Sequence, residues 1–265
     1  MGQFDSSTEA ALAQIKSGQS DVAPLSLLDV ATTIVALVSA SNPAGVAVAF
    51  SRLIASLKRL AAGKDESNLV YFAEALIDDL HRLSGSCDEM RRRIDELADS
   101  SGFGEAVENA TLYITRTNVK NRLRRLARVI VNGVRDGDLQ TENVDDMMRL
   151  SVTLSEEDVH VLGIVYEMQT DLLSTESQQR AHRVNQLTRR WQEWWNQHHL
   201  EYWGIQGLRF MNSSARLLGE GLVGPLPRSF AGSPTQNDLE LSISGMRFYE
   251  HLREIATEDQ QPQQM

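Results

Sequence analysis

The sequence predicts a mainly α-helical fold, and three observations lead there. Apolar residues recur three and four positions apart over most of the chain, the spacing that lines one face of a helix. The residues that supply them are aliphatic: 42% of the 265 residues are hydrophobic but only 6% are aromatic, a composition suited to helix-on-helix packing. Strand-like alternation of apolar and polar residues is read in one short run, Leu239-Glu240-Leu241-Ser242-Ile243.

Taken in order, the first element is a helix over about Ser7–Ser17. Ser6 and Glu9 have the spacing of a capping box, and Gly18 is a natural stop. From Val30 to Phe50 there are 21 residues without a charge, with Asn42-Pro43 in the middle and Gly45 just after. Pro43 lacks a backbone donor and disfavours helical geometry at Asn42. The run therefore reads as two apolar helices, about Leu25–Ala40 and Ala44–Ala62, joined by a tight corner. Asp65 or Ser67 caps the next helix, whose stripe is Leu69, Phe72, Ala73, Leu76, Leu80 and Leu83, and Gly85 ends it. Asp88 to Ala98 is a charged surface helix with Met90, Ile94 and Leu97 on one side, and Gly102 and Gly104 mark a break.

One long helical region is expected from Glu105 to Val134, with Gly133 and Gly137 around its exit turn. A short helix, Val144–Leu150, follows. Ser155 and Asp158 form a second capping box, ahead of a helix buried through Val159, Leu162, Val165 and Met168. The polar stretch Ser174–Arg183 reads as the exposed start of a long helix carrying Leu187, Trp191, Trp194 and Trp195. A further helix ends at Leu217-Leu218-Gly219-Glu220-Gly221-Leu222-Val223. A Pro/Gly/Ser-rich stretch and the strand-like run come next, and Ser244-Gly245 opens a closing helix to about Ile255.

Helix, hairpin, helix in that order is the back half of a winged helix. The expected organisation is an N-terminal helical bundle over 1–175 with the apolar hairpin at 25–62. A winged-helix-like module with a small β-hairpin follows over 176–256, then a disordered, Gln-rich tail over 257–265.

The charge balance narrows the function classes. At a net −10 and a pI near 5.1, most of the surface repels phosphate, so nucleic-acid binding needs a local basic patch. The single cysteine, Cys87, excludes an internal disulfide framework and fits a reducing compartment. Residues Met1–Gly18 lack the basic and apolar regions of a secretory signal, so a cytoplasmic location is expected, with peripheral or conditional contact at the inner membrane as the variant.

Four features are candidates for function. The uncharged run, with Val38, Asn42, Pro43 and Phe50 as its markers, is read first as a buried helical hairpin whose small residues let helices approach closely. A membrane-inserting or partner-binding hairpin is the second reading, weakened by Asn42-Pro43 at the centre and the short, Ala-rich halves. Arg116, Lys120, Arg124 and Arg128 recur every four residues and make a basic row, a candidate contact for anions, lipid or nucleic acid. A solvated face balanced by acidic neighbours is its plainer reading. Arg209 and Arg216 are candidate nucleic-acid contacts at the winged-helix-like end. Two basic residues are few for a groove-reading helix, so docking or oligomerisation is preferred there. Trp191, Trp194, Trp195 and His198 share a helical face and are read as core or interface packing.

No catalytic or metal-binding constellation is read. There is no His-Glu-x-x-His, no paired cysteine and no Gly-rich phosphate loop after a strand. Cys87, in Ser-Gly-Ser-Cys-Asp, has no evident base. The chain is expected to be a non-enzyme without cofactor or small-molecule substrate.

The order of segments over residues 28–255 resembles the abortive-infection alpha family and related bacterial helical proteins. The residues that carry the likeness are Ser41-Asn42-Pro43-Ala44-Gly45, Thr115-Arg116-Thr117-Asn118-Val119-Lys120 and Leu126-Ala127-Arg128-Val129-Ile130-Val131-Asn132-Gly133. Leu154-Ser155-Glu156-Glu157-Asp158-Val159, Leu218-Gly219-Glu220-Gly221-Leu222-Val223 and Leu241-Ser242-Ile243-Ser244-Gly245 complete it. The resemblance implies a bacterial origin and a part in phage defence, and it supplies no catalytic residues. The expected function is that of a non-enzymatic interaction protein of antiviral defence, engaging a protein partner or a second copy, with its apolar hairpin acting on a membrane in the variant form. The alternative is a winged-helix DNA-binding transcriptional regulator.

Overall fold

A computed structural model describes residues 27–39, 43–60, 66–117, 119–137, 139, 142–173, 180–198, 204–226 and 238–253. Among these residues the chain forms eleven α-helices, one 3₁₀ turn and one two-stranded antiparallel sheet. Contacts divide the described residues into two compact units, one of residues up to Thr153 together with Leu252 and Arg253, the other of residues from Leu154 to His251. The division falls at Leu154, ahead of the boundary at 175 expected from the sequence. The helix expected over Ser7–Ser17, the corner residue Asn42 and the tail 257–265 lie outside the described residues.

The first unit contains α1 (Leu27–Ser39), α2 (Pro43–Leu60), α3 (Glu66–Ser86), α4 (Asp88–Glu96), the 3₁₀ turn (Leu97–Asp99), α5 (Ser101–Ile114), α6 (Lys120–Asp136) and α7 (Glu142–Thr153). The uncharged run is the pair α1–α2, packed on each other as the proline predicts, with Pro43 at the first helical position where its missing donor costs nothing. Val30, Ala31, Ile34, Leu37 and Val38 of α1 are buried, as are Phe50, Leu53, Ile54 and Leu57 of α2. Each such leucine, isoleucine or phenylalanine contributes about 1.5–3 kcal/mol by leaving water. These two helices pack against α3 and α5, so the apolar stretch forms part of a helical core. No helix among the described residues is long and apolar enough to cross a membrane.

The centre of this unit is α6, which packs against α3, α4, α5 and α7. From Arg125 onward its burial is nearly continuous: Leu126, Ala127, Val129, Ile130, Val131, Asn132, Gly133 and Val134 are all inside. A helix buried on nearly every side needs cover on every side, and four neighbouring helices supply it. The long helical region expected over Glu105–Val134 is divided into two helices. Thr115 Oγ1 donates back to the Leu112 carbonyl at 2.7 Å, and Thr117 Oγ1 accepts the Val119 N–H at 3.2 Å. These local bonds compete with the helical ladder and break it between Ile114 and Lys120. The expected break at Gly102 and Gly104 is likewise displaced. Ser100 caps α5, and both glycines lie inside its first turn.

The second unit contains α8 (Glu156–Leu173), α9 (Arg180–His198), α10 (Ile205–Gly219), β1 (Val223–Pro225), β2 (Leu239–Leu241) and, as far as His251, α11 (Ile243–Leu252). Here α8 is the hub, packing against α9, α10 and β2. The strands pair Val223 with Leu241 and Pro225 with Leu239. The strand expected over 239–243 stops at Leu241, because Ser242 caps the following helix: its Oγ accepts the Gly245 N–H at 2.9 Å. Ile243 therefore opens α11 and stands 71% exposed instead of lying half-buried in a strand.

Candidate functional site

The second unit presents one helix, α10, held firmly on its inner side and left apolar on its outer side. The inner attachment begins at the start of α8. Ser155 is the N-cap, its Oγ accepting the Asp158 N–H at 3.2 Å, while Asp158 Oδ2 accepts the Ser155 N–H at 2.8 Å. This reciprocal pair is the capping box predicted from sequence. Asp158 also receives Arg216 from α10, with Nε 2.9 Å from Oδ1 and Nη2 2.7 Å from the same oxygen. Burial of Asp158 would raise its carboxyl above the ordinary range. The hydrogen bonds from Arg216, Ser155 and Ser213 outweigh that and hold it below.

Aromatic packing makes a second attachment. Trp191 is fully buried and its Nε1 donates to the Leu239 carbonyl at 2.9 Å, tying α9 to the sheet. Phe210 of α10 packs against Trp191, Trp194 and Trp195, with ring centroids 6.3, 5.7 and 5.3 Å away. Offset and edge-on pairs of this kind add to the area they bury. The face expected to carry Trp191, Trp194, Trp195 and His198 is thus an aromatic cluster anchored by the buried Trp191, with Trp194, Trp195 and His198 half-buried around it and His198 stacked on Trp194 at 4.7 Å. His199 and Trp203 lie outside the described residues.

The far end of α10 is closed by Gly221 in the left-handed region at φ 70°, where the Leu222 N–H reaches back to the Leu217 carbonyl at 3.0 Å. Ser242 Oγ then donates to the Gly221 carbonyl at 2.7 Å, which places Ile243 just beyond this end of the helix.

With Phe210, Ser213, Ser214 and Leu217 turned inward, the opposite side of α10 carries Ile205, Leu208, Met211, Ala215 and Leu218. Ile205 is 70% exposed, Leu208 61%, Met211 48% and Leu218 36%. Together with Ile243, these are the exposed large apolar side chains described in this unit. Scattered apolar residues on a surface are ordinary, but a contiguous row along a helix marks an interaction face. The sequence reading missed it. The signal was present, since α10 has apolar residues at helical spacing on both sides: Ile205, Leu208, Met211 and Leu218 alongside Phe210 and Leu217.

The other sequence candidates occupy different surroundings. In the first unit the basic row splits in two. Arg116 and Lys120 are exposed and lie over the rings of Tyr113 and Tyr71, at 5.3 and 5.4 Å from the centroids. Arg128 has 15% of its side chain exposed, and its Nε lies 3.8 Å from Asp79 Oδ2. Arg124 is half-buried near the same carboxylates. Burial pushes Asp79 up, against the pull of Arg128, Arg82 and Arg124; Asp78 is likewise raised by burial. The structure therefore does not join Arg116, Lys120, Arg124 and Arg128 into one open phosphate track. Val38 and Phe50 are buried at 5% and 4% exposure, and Pro43 begins α2. Arg209 is exposed on α10, whereas Arg216 is held by Asp158. Among the described residues no group of three or more His, Cys, Asp or Glu is gathered as a metal site requires. Cys87 is exposed.

The chain matches no protein-family model, no curated protein and no solved structure.

Proposed function

We propose that the chain is a non-enzymatic interaction protein of bacterial antiviral defence, of the abortive-infection type, and that it acts by docking a protein partner on the outer face of α10. The observation that carries the docking clause is the exposed row Ile205, Leu208, Met211 and Leu218 on a helix whose inner side is fixed. The defence clause rests on the family resemblance of the segments over 28–255. The order α10, β1, β2, α11 supports the winged-helix-like reading of the second unit. In DNA readers of that kind, the helix before the hairpin enters the major groove and needs cations around it. Here that helix offers hydrocarbon to the outside, and one of its two arginines is committed to Asp158. A protein surface suits this face better than a duplex does. In this reading the apolar hairpin serves as core, a role supported by the burial of Val38 and Phe50, and the protein works in the cytoplasm.

The test is plating efficiency. Bacterial cells expressing the chain are challenged with a panel of phages, beside cells expressing Leu208→Glu. Restricted plating of at least one phage by the wild type, relieved by Leu208→Glu at equal protein level, is the expected outcome. Equal plating with and without the chain across the panel rejects the defence clause. Retardation of duplex DNA that is salt-sensitive and weakened by Arg209→Ala would favour the regulator alternative instead.

A further inference from the structure

The corner between α5 and α6 gathers exposed apolar side chains and uncommitted cations of the first unit, and we infer that it is a docking face for an anionic lipid surface. The inference goes beyond the docking reading, which concerns α10 in the other unit. Its basis begins in the sequence. Residues 109–135, between Glu108 and Asp136, hold seven basic side chains and no acidic one, in a chain with ten more acids than bases. Arg124, Arg125 and Arg128 of that run are buried or half-buried, whereas Arg116 and Lys120 stand exposed at the corner. Among the described residues neither Arg116 nor Lys120 is paired with a carboxylate. Their heads lie instead over the rings of Tyr113 and Tyr71, which positions each charge without cancelling it. Arg122, half-buried in the first turn of α6, has no carboxylate partner there either, and that turn contains no acidic residue.

Hydrocarbon stands beside this charge. Leu112 is 52% exposed and Val119 40%, and these are the exposed large apolar side chains described in the first unit. Leu112 lies one helical turn before Arg116, and Val119 is the N-cap of α6, directly ahead of Lys120. One turn and three residues of chain separate Leu112 from Val119, so the two lie within about 17 Å of each other. The corner is fixed in shape: Asn68 Nδ2 donates to the Thr117 carbonyl at 3.3 Å, and Thr117 Oγ1 accepts the Val119 N–H at 3.2 Å. The combination selects the occupant. A nucleic-acid backbone would use the cations and leave Leu112 and Val119 in water. A bilayer surface uses both, its anionic headgroups taking the cations and the layer beneath them the aliphatic side chains. The net charge of −10 opposes the approach, but charges more than about 8 Å away are screened at physiological salt, so the corner decides. So few side chains give weak, reversible, peripheral binding.

The experiment is co-sedimentation of the full chain with vesicles of phosphatidylcholine alone or with about 40% phosphatidylglycerol added. The wild type pellets with the phosphatidylglycerol vesicles and stays in the supernatant of the others. Each cation near such a surface strengthens partition about fivefold, so Arg116→Gln with Lys120→Gln lowers it about twenty-fivefold. Leu112→Ser with Val119→Ser, at exposed positions, lowers it about fivefold or more. Arg91→Gln with Arg92→Gln, exposed on α4, changes the net charge equally and leaves binding at the wild-type level. A wild type that ignores phosphatidylglycerol, or an equal loss in the α4 pair, overturns the inference. So does a serine pair that binds like the wild type, since the corner is then a phosphate site of the kind a nucleic acid would occupy. If the glutamine pair loses its helical dichroism, the serine pair decides alone. Leu208→Glu separates this inference from the docking reading: it binds vesicles like the wild type, and a loss of binding in that variant moves the lipid contact to α10 and overturns the corner.

Discussion

Asp158 shows how much one side chain does in this molecule. Its side chain is 1% exposed, it completes the cap of α8, and it anchors Arg216 of α10. Removing it leaves the Ser155 N–H without its cap and a guanidinium without its partner. A cap is worth about 1 kcal/mol and a hydrogen bond to a charged group about 1.5–3 kcal/mol. Asp158→Ala is thus expected to destabilise the second unit by about 2–4 kcal/mol, read from the tryptophan-fluorescence midpoint in urea. The pH dependence has a definite sign. Because the folded-state carboxyl is held below its ordinary value, its contribution is complete above the unfolded value of about 4 and is lost as pH falls through the folded one. The gap between wild type and Asp158→Ala should be constant near neutrality and close in acid. A gap that persists unchanged below the folded-state value would mean that Asp158 acts through packing alone.

At the scale of elements, the junction between α10, the sheet and α11 depends on a close backbone approach. A Cβ on Gly245 would run into the Leu222 carbonyl, which is backbone and cannot swing aside. That carbonyl also accepts the Ser242 N–H at 3.1 Å. Gly245→Ala forces the first turn of α11 away from β1 and is expected to cost about 1–3 kcal/mol by overpacking, measured by the same fluorescence midpoint. Gly219→Ala, in the same unit and with nothing within 4 Å of the added Cβ, serves as the control without overpacking. The junction also shows which parts of the fold were legible. Ser155 with Asp158, the stop at Gly221 and the corner at Pro43 were readable because caps and prolines act through neighbouring backbone. The break at Thr115–Val119 was not, since an apolar period runs through it and only the hydroxyl bonds of Thr115 and Thr117 end the helix. Ile243 was misassigned for a related reason: alternation continued one residue past the point where the Ser242 cap takes over. The outer face of α10 went unread because apolar residues on two sides of a helix carry no label saying which side is covered.

At the scale of the whole molecule, each unit has its own core, packed around α6 with Phe72 and Phe103 among its aliphatic side chains in the first, and built on Trp191, Phe210 and Phe248 in the second. Domains with separate cores unfold separately unless coupling is strong. The sequence provides a way to tell them apart, because all four tryptophans lie at Trp191, Trp194, Trp195 and Trp203. Indole fluorescence therefore reports the second unit, whereas far-UV circular dichroism reports the helices of both. Leu217→Ala deletes a fully buried side chain in α10 and is expected to cost about 2–5 kcal/mol. Its fluorescence transition should move to lower denaturant while a large part of the dichroism change stays at the wild-type midpoint. Phe72→Ala, in the core of α3, should do the reverse, shifting dichroism and leaving the fluorescence midpoint in place. If both probes shift together in both variants, the two units fold as one cooperative body, and a partner docking on α10 would then stabilise the helical bundle as well as the unit it touches.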